Sequence, residues 1–295
     1  MNLKKVLSSL AAATILTGTA FSQDDRFAGV EVTAEHVRGN IHVLFGAGGN
    51  IGVSLGEDGV YIVDDQFAPL SDKIRAAIKG LSDKPIKYVI NTHFHGDHTG
   101  GNENFGKTGS VIVAHDNVRV RMAPRVFEAT ENKLGEKSLP VVTFNDEMSL
   151  HLNGEETRIV HVSRAHTDGD SLVYFKGNNV LHMGDTFFAN RFPFIDTRSG
   201  GTIGGLIETI ATAIDISNSD TLIIPGHGPV SKKPLLIEYY QMLIESRDRV
   251  VKLKNEGKSL EEIVAMKPLA DMDARWQTDN AEWPDRYVGF IYSSL

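Results

Sequence analysis

Three imidazoles and one carboxylate fall within six residues of the run Thr92-His93-Phe94-His95-Gly96-Asp97-His98-Thr99-Gly100-Gly101. The apolar run Ile86 to Ile90 precedes it and reads as a buried strand. Pro85 stands before that strand and glycines follow the histidines. The polar cluster therefore occupies the loop at the strand's C-terminal end, where open α/β sheets place their sites. His93 and His95, two residues apart, point to the same side on extended backbone. Asp97 and His98 lie past the turn and can point elsewhere. The pattern suits two metal ions side by side, His93 and His95 on one, Asp97 and His98 on the other. Imidazole and carboxylate without thiolate favour Zn²⁺, with Fe or Mn as alternatives.

Further ligand-type residues stand in Ala165-His166-Thr167, Leu181-His182-Met183-Gly184-Asp185 and Pro225-Gly226-His227-Gly228. Together with His93-x-His95-x-Asp97-His98, this order of motifs resembles the metallo-β-lactamase superfamily over about residues 31 to 231. The resemblance implies a four-layer αββα sandwich, of mixed α/β (α+β) class, carrying a binuclear hydrolase site with two Zn²⁺. It implies His93, His95 and His166 on the first metal, Asp97, His98 and His227 on the second, and Asp185 bridging both. Asp97 and Asp185 are then the catalytic carboxylates. One branch of true β-lactamases has a cysteine where Asp185 stands, and this chain has no cysteine. The bridging aspartate is similar to that of glyoxalase II, lactonases and sulfatases. The chain most resembles exported β-lactamase-like hydrolases, some of which open lactams weakly.

Two dications sharing one oxygen lower the pKa of bound water toward ~7 and supply hydroxide at neutral pH. The expected reaction is attack of that hydroxide on an ester, thioester, lactone or β-lactam carbonyl, so the partner is a small-molecule carbonyl substrate. The alternative is an exported metal-binding or accessory protein without turnover. The loop from Phe187 to Gly201 emerges directly from Asp185. Its apolar area in Phe188, Phe192 and Phe194 suits a substrate wall, and Arg191 and Arg198 could pair with a substrate carboxylate. The glycine-rich turn Gly46 to Asn50 is expected to close over the other side.

Other polar residues have blander readings. His36, His42, His115, His151 and His161 read as ordinary surface or core histidines, and His182 as a strand residue near the site, with support of a metal ligand as the alternative. Asp168 and Asp170 read as turn and cap residues, and Asp64 and Asp65 as a solvated turn at a strand end, with orientation of a site histidine as the alternative.

The elements that must position the motifs alternate in type. Strands are expected between Glu31 and Asp65, at 86–90 and at 111–114. A second set is expected at 141–144, 147–152, 156–163, 171–176, 179–183 and 221–224. Asn153-Gly154 is a hairpin signal. Helices are expected at 71–81, 116–122, 204–216, 234–255, from Ser259 with a Ser259/Glu262 capping box, and at 283–295. Residues 124–140 read as an irregular surface excursion. Two β-plus-α halves packed sheet to sheet agree with the sandwich that the resemblance implies.

The 295 residues are 41% hydrophobic, enough for one large core. Lys4 and Lys5, the apolar run Val6 to Ile15, and Ala20-Phe21-Ser22 read as a signal peptide cleaved after Ser22, leaving 23–295 as a single domain. The expected location is periplasmic or secreted, with no membrane span after cleavage. The whole chain carries a net charge of −8, and loss of the two leader lysines takes it to −10. An acidic surface without a basic run argues against a nucleic-acid partner.

Overall fold

The computed structural model describes residues 25–128, 133–276 and 280–295. The expected leader, residues 1–22, lies outside them. Seven strands form the first sheet in chain order: β1 (Thr33–Arg38), β2 (Ile41–Phe45), β3 (Ile51–Ser54), β4 (Val60–Val63), β5 (Ile86–Ile90), β6 (Val111–His115) and β7 (Val142–Phe144). The first four pair antiparallel, and β4 to β7 pair parallel. The second sheet holds β8 (Glu147–Leu152), β9 (Glu155–His161), β10 (Ser171–Phe175), β11 (Val180–His182), β12 (Leu222–Ile224) and β13 (Ser231–Lys232), in the order β13-β12-β11-β10-β9-β8. Helices in chain order are α1 (Ser71–Lys79), α2 (Gly96–Thr99), α3 (Asn102–Lys107), α4 (Asp116–Phe127), α5 (Ile203–Ile216), α6 (Lys233–Asn255), α7 (Leu260–Ala265), α8 (Asp273–Trp276) and α9 (Trp283–Ser293).

The central strands are apolar on both faces because both faces are covered. Ile41, Val43, Tyr61, Val63 and Ile90 of the first sheet meet Ile159, Val173, Phe175, Val180 and Ile224 of the second. Their alternates turn outward. Leu44, Val53, Ile62 and Val89 pack under Ile74 and Ile78 of α1. Leu172, Leu181 and Ile223 pack under α5, α6 and α9 through Leu206, Ile210, Leu236, Tyr239 and Tyr287. The layers are thus helix, sheet, sheet, helix, as the sequence resemblance implied.

Several local expectations resolve in detail. Asn153 and Gly154 both take positive φ, as a tight hairpin between β8 and β9 requires. Ser259 and Glu262 form the reciprocal capping box. The expected helix end at Met122 is corrected: α4 runs on through Pro124 to Phe127. Pro124 forfeits one intrahelical bond near the helix end, and Glu128 N–H closes the last turn on the Pro124 carbonyl. Within 124–140 the described residues thus include the end of α4 and a further single helical turn at Glu136–Ser138.

Ile159 is fully buried between the sheets, and its side chain belongs to neither group of ligand-type residues. Ile159→Ala is expected to cost about 2–5 kcal/mol through lost burial and a residual cavity. Urea unfolding would show it as a lowered midpoint, with metal affinity of the surviving folded protein unchanged.

Candidate metal centre

Every motif histidine and aspartate sits where a strand gives way to a loop on one edge of the sandwich. His93 is the third residue after β5, and His95 precedes α2, which carries Asp97 and His98. His166 lies between β9 and β10. Asp185 sits in a single helical turn after β11, and His227 follows β12. The parallel pairing of β11 with β12 brings the last two loops side by side.

Two groups result, joined through one residue. Ligand atoms of His93, His95, His166 and Asp185 all lie within 4.8 Å of one another, as do those of Asp97, His98, Asp185 and His227. In the first group His93 Nε2 and His166 Nε2 lie 3.2 and 2.9 Å from His95 Nδ1, and 3.9 and 3.6 Å from Asp185 Oδ2. In the second, His98 Nε2 and His227 Nε2 lie 3.1 and 3.3 Å from Asp185 Oδ1, and 3.7 and 3.3 Å from Asp97 Oδ2. A tetrahedron with bonds of ~2.1 Å has edges of roughly 3.4 Å. The observed spacings scatter about that value, and the two oxygens of Asp185 point one to each group. His98 Nε2 and Asp185 Oδ1 are buried and make no hydrogen bond. Such atoms are costly unless an ion satisfies them, so the residues fit a pair of dications of the zinc type.

In four of the five histidines the remaining ring nitrogen is fixed from behind. His93 Nδ1 lies 3.1 Å from Thr92 Oγ1, His95 Nε2 lies 3.0 Å from Asp196 Oδ2, and His166 Nδ1 lies 2.9 Å from the Phe194 carbonyl. His98 Nδ1 lies 2.7 Å from Asp64 Oδ2. Partners of this kind set which nitrogen faces the metal. Asp64 corrects the solvated-turn expectation. It is fully buried at φ 66°, and it also accepts hydrogen bonds from the backbone N–H and the hydroxyl of Thr92. Asp65 is buried too and accepts from Gly101 N–H, tying down the loop that follows His98. Asp196 went unrecognised in the sequence. Its signal was that of a helix N-cap, which it also is, to the turn Thr197–Ser199.

The turn expected to close as a lid is instead pinned beneath the site. Gly49 N–H donates to Asp97 O, Asn50 N–H to Gly226 O, and the Asn50 side chain to Pro225 O and Gly228 O. A β-carbon on Gly49 would stand 2.1 Å from the His98 ring, and one on Gly226 would stand 2.1 Å from Asp185 Oδ1. Both positions need glycine because the chain passes against a ligand. His182 is not in either group. Buried in β11, it has Nε2 3.1 Å from Asn50 O and accepts from Gly184 N–H. Asp168 pairs with Arg121, and Asp170 accepts from Thr167, in line with their turn reading. His36 and His42 pair across β1 and β2, and His115 stacks on His161 at 3.6 Å. His151 is exposed.

A cavity of about 480 Å³ opens over both groups, bordered by His95, Asp97, Asp185 and His227 and by Phe67, Phe188, Arg191, Phe194 and Trp283. Arg191 and Phe194 line this cavity. Phe192 does not: it is 0% exposed and stacks on Tyr287 in the helical core. Phe192 and Pro193 both turn inward and Phe194 turns back out, so Phe194 reaches the cavity while Phe192 packs. Arg198 is exposed and does not line the cavity.

Burial opposes charge on every ligand, and the neighbours decide which groups keep it. Desolvation, with His98 and His166 nearby, pushes His93 well below the usual histidine range. Desolvation works against His227 as well, but the Asp185 and Asp97 carboxylates outweigh it and push its pKa up to about 9. His98 moves upward for the same reason. Burial would raise the Asp185 carboxyl, yet His227 and His98 hold it well below the carboxylate range.

The chain belongs to the metallo-β-lactamase superfamily, whose model matches residues 44–256. A metallo-β-lactamase from Pontibacter korlensis shares the fold with a TM-score of 0.61, at 17% identity over 72% of this chain and 99% of its own. The α subunit of 2,4-dinitroanisole O-demethylase from Nocardioides sp. is 28% identical over 53% of this chain and 47% of its own. A hydroxyacylglutathione hydrolase from Polaromonas sp. is 29% identical over 52% of this chain and 51% of its own. The chain spans about half the length of these curated relatives. Members of the superfamily are mostly hydrolases, and the histidine and aspartate cluster suggests binding of divalent metal, typically zinc.

Two outcomes follow from this geometry. Asp64→Asn keeps the side chain's size but removes the carboxylate behind His98. It is expected to weaken metal binding at the second group about 10- to 100-fold, with little change at the first and a native circular dichroism spectrum. Competition with a chelator measures this. Binding at the second group must also displace protons, because His227 with a pKa of about 9 holds one at neutral pH. Affinity there should rise with pH until about 9. Calorimetry in buffers of different ionisation heat should register proton release at pH 7, and none would contradict the assignment.

Proposed function

We propose that this chain is a binuclear zinc-dependent hydrolase of small carbonyl compounds. The observation that carries the reading is the Asp185 carboxylate, whose two oxygens face two separate sets of imidazoles beneath one open cavity. A metal carrier needs neither a shared carboxylate nor a cavity above it. Two dications held by His93, His95 and His166, by Asp97, His98 and His227, and jointly by Asp185 would supply hydroxide at neutral pH and polarise a scissile carbonyl.

The side chains have distinct tasks. Asp97 stays ionised because the charge on His98 outweighs its burial, and it is 27% exposed, toward the cavity. It can accept a hydrogen bond from the attacking water and aim it. Asp185, almost wholly buried, holds the two sets of ligands at one separation. Arg191 makes no ion pair with a carboxylate among the described residues, so it can hold a substrate anion. The relatives named above differ in reaction, so the choice of substrate rests on the cavity and not on them. Export to the periplasm or medium is part of this proposal and rests on residues 1–22.

A panel of chromogenic esters, a thioester, a lactone and a cephalosporin tests the reading. Turnover of at least one, lost on chelation and restored by zinc, is expected; no turnover by the zinc-loaded protein leaves the carrier alternative. Asp185→Ala should reduce kcat/KM steeply while circular dichroism stays native. Arg191→Ala should raise KM for an anionic substrate roughly tenfold with metal content unchanged.

A further inference from the structure

We propose that Trp283 is a specificity-determining residue, and that the cavity takes its substrate by an aromatic or other flat apolar group laid against the Trp283 indole. The proposal deepens the hydrolase reading and rests on it only for calling the bound molecule a substrate.

The place of the residue is the first argument. Trp283 begins α9, beyond residue 256, where the match to the family model ends. It nevertheless lines the same cavity as His95, Asp97 and Asp185. The floor of the site therefore comes from the shared part of the chain and this wall from a segment outside it. Such an addition can change what is bound without changing the chemistry below.

The chemistry of the indole is the second. Its only hydrogen-bond donor is already used, by the Phe192 carbonyl at 3.0 Å. The Arg286 guanidinium lies over the ring at 4.9 Å, and Phe194 and Phe290 pack beside it at 6.4 and 6.3 Å. The ring is thus held in one orientation and offers the cavity apolar surface alone. Phe67, Phe188 and Phe194 extend that surface, while His95, Asp97, Asp185 and His227 form the floor and Arg191 adds one cation to the lining. A molecule in this space must turn its carbonyl toward Asp97 and Asp185 and its apolar body toward the wall. Flat groups gain most there, since stacked or edge-on rings are favoured beyond the burial of their area alone. The wall also touches the ligand sphere: Phe194, seated against Trp283, holds His166 through its carbonyl.

The chain has two tryptophans, and Trp276 is buried in the helical core, so intrinsic fluorescence can report on Trp283. Phenylacetate, the acid released from a phenylacetyl ester, is expected to quench emission of the zinc-loaded full chain, and acetate to leave it unchanged. W276F should keep the quench. W283F should lose it while calorimetry shows phenylacetate still bound within about threefold. Trp283→Ala should weaken phenylacetate about tenfold and lower the kcat/KM preference for phenylacetyl over acetyl esters of one alcohol by a similar factor, with metal content unchanged. Should removal of the indole unseat α9, W283F and W276F still decide the matter. Absence of quenching in the unsubstituted protein, or a quench that survives in W283F, would overturn the proposal. Hydrolysis without aryl preference would overturn it too and leave the hydrolase reading standing. Quenching without turnover of any ester would do the reverse.

Discussion

One buried carboxylate governs the site. Asp185 is nearly inaccessible and lies within 4 Å of four imidazole nitrogens, those of His93, His98, His166 and His227. A carboxylate removed from water needs positive charge close by, and here the sources are arranged on both sides of it. Protonated His98 and His227 can serve in part, which is why both shift upward. They leave Asp185 Oδ1 and His98 Nε2 without hydrogen bonds, a lack that a cation held by the second group would remedy. Much of the surrounding chain follows from this constraint. Gly226 is small because it passes Asp185, Gly49 because it passes His98, and Asp64 is buried because His98 must present one particular nitrogen.

The sandwich supplies the rigidity that such spacing needs. The first sheet delivers His93, His95, Asp97 and His98 from the end of β5. The second delivers His166, Asp185 and His227 from the ends of β9, β11 and β12. Neither sheet holds a complete set, so the centre can assemble only when the inter-sheet core around Ile90, Ile159, Val173 and Ile224 is packed. Sealing that core and positioning the ligands are therefore one structural event. The helical layer beyond the second sheet has an added part: through Phe192, Trp283 and Tyr287 it fixes the loop that carries Phe194 to the cavity.

Much of this was legible in the chain because its causes are local. The run from His93 to His98 states its chemistry by spacing alone. β5 and β8 coincide with their expected limits, since short apolar or alternating runs bounded by turn residues specify strands. Residues whose role depends on distant partners were hardly legible: Asp64 offered orientation of a histidine only as a second reading, and Asp196 offered none. Asp64 meets His98 across 34 positions and Asp196 meets His95 across 101, and each reads locally as an ordinary turn aspartate. α2 and α3 span four and six residues, too short to show a helical period. Phe192 and Phe194 look alike as residues, and only the direction of the loop separates the one that packs from the one that lines the cavity.

The claim on which the account rests is that Asp185 joins two metal sites. Native mass spectrometry of the metal-replete full chain measures this most directly. The account predicts two zinc ions per chain, and for Asp185→Asn a distribution shifted to one or none. Saturation at a single ion in the unsubstituted protein, or two ions bound equally tightly by Asp185→Asn, would contradict it.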